Sequence, residues 1–148
     1  MKLSTKGRYG VRLMIDLAIR YGEGPVMLRE IAKREEISEK YLSNLVNPLK
    51  AMGLVEATRG VHGGYMLGKE PSEITMKEIV EALEGSLRLV DCVEKPATCD
   101  RVAFCVARDL WNEAAQVVGL VLGKYTLADM VVLQKAKRER ITPDNYTI

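Results

Sequence analysis

Apolar residues recur at intervals of three and four over residues 8–22, so that Tyr9, Leu13, Met14, Leu17, Ala18 and Tyr21 share one side of a helix. Gly22 and the pair Gly24-Pro25 predict its end. The spacing returns in shorter form at Leu28, Ile31 and Ala32. A turn about Glu35-Glu36-Ile37 follows, and Ser38 is placed to cap a third helix that buries Leu42, Leu45, Val46 and Leu49. Pro48 removes the hydrogen bond to the Asn44 carbonyl and predicts a kinked or shortened helix, with its working face N-terminal to the proline.

The period then changes. Leu54–Thr58 and Gly64–Leu67 are short β-prone runs around Arg59-Gly60-Val61-His62-Gly63, the pattern of a hairpin with a glycine-rich tip. Thr75-Met-Lys-Glu78 is a capping-box signature that opens a helix with Ile79, Val80 and Leu83 inside and Gly85 at its end. Residues 86–104 lack a period and hold Pro96. From Cys105 a long helix is predicted, with Val106, Leu110, Ala114, Val117, Val118, Val121, Leu122 and Tyr125 in a wide apolar stripe. Thr126 and Asp129 cap one more helix to about Gln134, and the charged segment 135–148 is predicted to be a flexible tail. The fold class is therefore mainly α with a small β-wing: a winged helix-turn-helix plus a long dimerisation helix. The expected units are 1–85 for DNA binding, 86–104 as a cysteine-containing loop, 105–134 for dimerisation and 135–148 as tail.

Composition sharpens this picture. The 148 residues suit one compact domain with an appendage, and 47% hydrophobic residues with only 5% aromatics favour helices packed through aliphatic side chains. The net charge is only +2, but it is unevenly spread: residues 1–70 carry 12 basic and 8 acidic groups, residues 71–148 carry 10 and 12. The basic excess thus coincides with the helix-turn-helix. No apolar run approaches the roughly 20 residues that span a bilayer, and no leader pattern is present, so the expected location is the cytoplasm, with no membrane partner. With one histidine, no Cys-x-x-Cys pair and no phosphate-binding glycine loop, an enzyme is not expected.

In a winged helix-turn-helix the second helix of the pair enters the major groove. Its outward face here carries Lys40, Ser43, Asn44, Asn47 and Lys50 beside Glu39. Ser43 and Asn44 suit base edges. Lys40 and Lys50, with Lys2, Lys6 and Arg8 at the N-terminus, suit phosphates. Arg59 at the wing can reach phosphate or minor groove, and His62 can assist. Each of these charges alone could merely solvate a helix face; their coincidence on one pattern is the signal.

Four segments extend the reading: Met1-Lys-Leu-Ser-Thr-Lys-Gly-Arg-Tyr-Gly10, Ile37-Ser-Glu-Lys-Tyr-Leu42, Gly53-Leu-Val55 and Arg59-Gly-Val-His-Gly-Gly-Tyr-Met-Leu-Gly68. With them the chain resembles the Rrf2 family of winged-helix transcription regulators through about residue 135. The start and the cysteine region are most similar to the family's iron-sulfur cluster regulators. The resemblance implies a homodimer built on the long helix and bound to palindromic promoter DNA. The residues themselves add one argument for a dimer: the stripe on the long helix is wider than one small core needs, although a central helix of a monomer would also use it.

The cysteines follow the pattern Cys92-x6-Cys99-x5-Cys105, ending where the long helix begins and its N-terminus favours thiolates. Such thiolates suit iron-sulfur clusters, zinc or copper(I); buried small side chains or reactive thiols would show the same spacing. The resemblance implies an iron-sulfur cluster on Cys92, Cys99 and Cys105, [2Fe-2S] in the first place and [4Fe-4S] as the alternative. A cluster takes four ligands. The histidine that the resemblance places three residues after the third cysteine is here Arg108, which has no lone pair to give. Asp91, Glu94, Asp100, Asp109, or Asp16 of a partner subunit's first helix are the remaining candidates. A cluster-free family member that regulates cysteine or sulfur metabolism through a protein partner is the other reading.

Overall fold

The computed structural model describes residues 2–141. Three helices, α1 (Thr5–Ile19), α2 (Leu28–Glu35) and α3 (Glu39–Ala51), lead into an antiparallel hairpin of β1 (Val55–Thr58) and β2 (Gly64–Leu67). Then come α4 (Met76–Glu84), the short α5 (Asp91–Glu94), α6 (Val106–Lys124) and α7 (Leu127–Ile141). The architecture is the expected winged helix-turn-helix followed by a long helix.

Helix α1 starts three residues earlier than its apolar period, at Thr5, because Ser4 caps it locally and Glu84 completes the cap from elsewhere in the fold. Ser4 Oγ accepts the Lys6 N–H at 3.1 Å, and the Glu84 carboxylate accepts the N–H groups of Ser4 and Gly7 at 2.9 and 3.0 Å. Helix α3 begins as expected, with Ser38 Oγ accepting the Tyr41 N–H. Pro48 does not shorten it. The helix runs on to Ala51, because Leu42, Leu45, Val46 and Leu49 are buried on both sides of the proline and their packing outweighs one missing bond.

Between α2 and α3 the chain turns through Glu36, a non-glycine residue in the left-handed region at φ 55°, whose N–H closes on the Ala32 carbonyl. That conformation costs a side chain about 1–2 kcal/mol, and glycine nothing. Glu36→Gly should therefore raise stability by about 0.5–1 kcal/mol after its larger unfolded-state entropy is counted. Urea unfolding monitored by circular dichroism would show the gain; a loss would mean that the Glu36 side chain contributes more than its backbone strain removes.

The capping box forms as read. Thr75 Oγ1 accepts the Glu78 N–H at 3.2 Å and Glu78 Oε2 accepts the Thr75 N–H at 2.8 Å. The Thr75 N–H, with help from Lys69, holds the Glu78 carboxyl below its ordinary pKa. A second box opens α7, where Thr126 and Asp129 exchange the same pair of bonds.

Leu127, at the start of α7, is fully buried in the core formed by α1–α4 and the wing, and its N–H bonds to the Ile74 carbonyl at 2.8 Å. Met130 and Val131 continue the contact against the same core. Helix α7 therefore folds back onto the helix-turn-helix, and it continues past the expected end at Gln134 to Ile141. Residues 135–141, read from sequence as tail, are helical; the rest of that segment lies outside the described residues. Packing of the first turns on α1 lets a polar helix continue where local propensity alone gave no reason for it.

Helix α6 is different. None of its 19 residues is buried. Gly119 and Gly123 lie over the aliphatic stem of Lys77 on α4. Two residues back, roughly 200° around the helix, Val117 and Val121 are 54% and 52% exposed. The broad stripe read from sequence is thus split between a face on its own chain and an uncovered one. Among the described residues no helix is long and apolar enough to cross a membrane.

Candidate nucleic-acid interface and the cysteine loop

An open groove of about 730 Å³ runs between the N-terminal half of α3, the start of α2 and the wing. Its lining includes Arg29, Glu39, Lys40, Ser43, Asn44 and the Gly63-Gly64-Tyr65 edge. Of the residues singled out in the sequence, Lys40, Ser43 and Asn44 meet here. All lie N-terminal to Pro48, one face of α3 being outward because the other holds the leucines. Asn47 and Lys50 are exposed further along α3, Arg59 and His62 are exposed at the wing tip, and Lys2, Lys6 and Arg8 are exposed around the start of α1; none of these lines the groove. Arg29 was missed. It lies outside the recognition helix, and only the fold brings the first turn of α2 to the groove.

Two local arrangements hold the groove's walls. Tyr9 of α1 and Tyr41 of α3 meet edge to face at 5.9 Å, and the Tyr41 hydroxyl shares a hydrogen bond with Thr5 Oγ1 at 2.8 Å. The guanidinium groups of Arg8 and Arg12 lie over the Tyr9 ring, at 5.7 and 5.5 Å from its centre. The start of α1 is thereby tied to the start of α3.

On the other wall, Val26 and Tyr65 exchange both backbone hydrogen bonds at 2.8 Å, adding a one-residue bridge to the outer edge of β2. This requires the adjacent glycine. A Cβ on Gly64 would stand 2.5 Å from the Val26 carbonyl oxygen and 2.7 Å from its carbon. Because the obstruction is backbone, Gly64→Ala should detach the wing from the α1–α2 connection, costing about 1–3 kcal/mol in stability. A thermal melt showing less than a degree of change would contradict this reading of the glycine.

On α1, Asp16 is only 5% exposed. Arg34 Nε and Nη2 donate to its two carboxylate oxygens at 3.0 and 2.8 Å, and Arg20 Nη1 stands 3.3 Å away. The hydrogen bond to Asp16 leads in raising the Arg34 pKa above its ordinary value. Asp16 is therefore engaged within its own chain.

The three cysteines fall on separate pieces of the loop: Cys92 in α5, Cys99 after a single 3-10 turn at Pro96–Thr98, and Cys105 at the N-cap of α6. All three are free thiols, Cys99 the most exposed of them. Among the described residues no three cysteine, histidine, aspartate or glutamate side chains stand close enough to hold one metal ion. Arg108 does not point outward as a bystander. Its Nε donates to the Cys92 carbonyl at 3.2 Å and so ties the α5 turn to the first turns of α6. The donor chemistry fits three positions of a cluster; Arg108 cannot supply the fourth.

The profile of the Rrf2 family, described as an iron-dependent transcriptional regulator, matches residues 3–132. The chain belongs to the Rrf2 family. The HTH-type transcriptional regulator CymR of Bacillus subtilis is 43% identical over 141 residues, covering 94% of this chain and 96% of CymR. The Rrf2 protein of Nitratidesulfovibrio vulgaris is 40% identical over 131 residues, 88% of this chain and 87% of that one. Among solved structures, CymR, described as the global cysteine regulator of B. subtilis, superposes with a TM-score of 0.74 over 90% of this chain and 98% of that chain. The T. potens IscR does so with the same score at 41% identity, covering 94% of this chain and 90% of that chain. This Rrf2 chain is thus equally close in fold to a cysteine regulator and to an IscR. Its relatives are transcriptional regulators, not enzymes.

Proposed function

We propose that the protein is a dimeric, DNA-binding transcription repressor that responds to iron-sulfur cluster or redox status through Cys92, Cys99 and Cys105. The observation that carries the DNA-binding part is the groove that brings Lys40, Ser43 and Asn44 of α3 against the Gly63-Gly64-Tyr65 edge of the wing. Asn44 and Ser43 read base edges. Lys40 and Arg29 hold phosphates at the groove's margins, Lys2, Lys6, Arg8 and Lys50 extend the phosphate contacts, and Arg59 with His62 follows the backbone or minor groove from the wing tip. Two copies joined along α6 present two such helices to a palindromic promoter.

The cysteine loop supports the sensing part. Three soft donors within one short segment, the last at a helix N-terminus, can be gathered on an iron-sulfur cluster, which would supply a redox-sensitive charge there. [2Fe-2S] is the proposed form and [4Fe-4S] the alternative. The chain's own part is to close α5 and the 3-10 turn onto the start of α6, with Arg108 holding the Cys92 carbonyl. The cluster-free reading, in which the cysteine loop binds no metal and the signal comes through a protein partner, is favoured by Arg108 at the fourth-ligand position and by the likeness to CymR.

Iron and sulfide analysis of protein purified without oxygen separates the two. The cluster reading expects both elements in equal amounts and a visible charge-transfer spectrum, lost in each of Cys92→Ala, Cys99→Ala and Cys105→Ala. Colourless, iron-free protein after anaerobic reconstitution overturns it in favour of the second reading. Either way, a duplex gel shift that weakens with salt is expected, and its absence would remove the DNA-binding assignment itself.

A further inference from the structure

The Lys6-Gly-Arg-Tyr-Gly10 segment in the first turns of α1 is used only in part by the DNA-binding reading: its basic side chains have a role as phosphate contacts outside the groove, its glycines do not. The fold explains the glycines. Gly7 and Gly10 are both buried and face the end of α4; a Cβ on Gly7 would stand 2.7 Å from Glu84 Oε1, and one on Gly10 would overlap Leu83 Cδ1. Their absence of side chains brings the α1 backbone against α4 closely enough for one carboxylate oxygen to reach the first turn of α1. Glu84 Oε1 accepts the Ser4 N–H, the Gly7 N–H and the Ser4 hydroxyl. Those N–H groups have no partner within the helix, so a residue some eighty positions away completes the helix start that Ser4 begins.

We propose that Glu84 is a positioning residue for DNA binding: its carboxylate fixes the first turn of α1 so that Lys2, Lys6 and Arg8 present their charges to the phosphate backbone. This rests on the DNA-binding reading above. The anion-favouring end of α1 is already filled by the protein's own carboxylate, so phosphate contact at this end comes from the three side chains and not from the helix terminus. Without Glu84 the first turn frays, and three cations that were held in register become three solvated chain ends.

Glu84→Ala and Glu84→Gln remove the same negative charge, but only glutamine keeps an oxygen that accepts the Ser4 and Gly7 N–H groups. Comparing the two cancels the general gain from removing a negative charge near DNA. The probe is a mixed-sequence duplex of about 30 base pairs, followed by fluorescence anisotropy at several salt concentrations, because phosphate contacts are independent of sequence. Glu84→Ala is expected to bind about tenfold more weakly than Glu84→Gln, with a salt slope smaller by roughly one to two, the signature of lost phosphate contacts. Amide exchange at Gly7 should be faster in Glu84→Ala than in Glu84→Gln. Should Glu84→Ala fail to fold, Gly7→Ala, which displaces the carboxylate, is expected to give the same smaller slope. A folded Glu84→Ala, or in its place Gly7→Ala, with the affinity and slope of Glu84→Gln overturns the proposal. Absence of binding by the unaltered protein would instead strike the DNA-binding reading; the exchange at Gly7 would still report on whether Glu84 anchors the helix start.

Discussion

Val117→Glu combined with Val121→Glu is expected to separate the proposed dimer into monomers in sedimentation and to weaken binding to a palindromic duplex by about a hundredfold or more, since the second half-site then has no linked partner. Leu110, Ala114, Val117 and Val121 follow one another at steps of four, three and four, the spacing of a coiled-coil seam. All lie on a helix without a single buried residue, and the opposite face, at Gly119 and Gly123, is the one that rests on α4. Further exposed apolar groups, Leu120 on α6 and Val132 and Leu133 on α7, make this more surface than an isolated domain normally leaves to water. Two glutamates facing their symmetry mates would bury like charges. A variant that stays dimeric and keeps its affinity would move the interface off α6.

Arg34→Met is expected to cost about 3 kcal/mol of unfolding free energy, the low end for breaking a buried ion pair, because Arg20 remains near the orphaned carboxylate. Asp16 would keep its burial and lose two charge-assisted hydrogen bonds. The double variant Asp16→Leu/Arg34→Met should recover most of the loss, since an apolar pair leaves no charge in the core. Urea unfolding of the two variants decides it; a single-variant loss below about 1 kcal/mol would mean the pair is effectively solvated. The effect would extend to function, because the pair joins α1 to α2, and α2 carries Arg29 into the groove.

Much of this was legible along the chain. The helix-turn-helix, the wing, both capping boxes and the outward face of α3 follow from periodicity and local capping, which are short-range properties. Membership in the Rrf2 family was legible from the first ten residues and the Arg59–Gly68 wing. Where the structure departs from the local pattern, long-range contacts take part. Helix α1 starts before its apolar period because Glu84, from the end of α4, completes the cap that Ser4 begins. Helix α3 passes Pro48 because the core that holds it on both sides is tertiary. Helix α7 outlasts its local pattern because its first turns are held by Ile74 and the α1–α4 core.

The sequence by itself determined the element types, the outward face of the third helix and the presence of three thiols with an arginine where the resemblance places a histidine. Those depend on residue identity and on neighbours within a few positions. Only the tertiary structure decided that Arg29 shares the groove, that Asp16 is closed off by Arg34, that Arg108 binds the Cys92 carbonyl, and that α6 turns its glycines inward and its valines out. Each is a contact between segments distant in the chain or a choice between two faces of one helix, and such choices are made by packing.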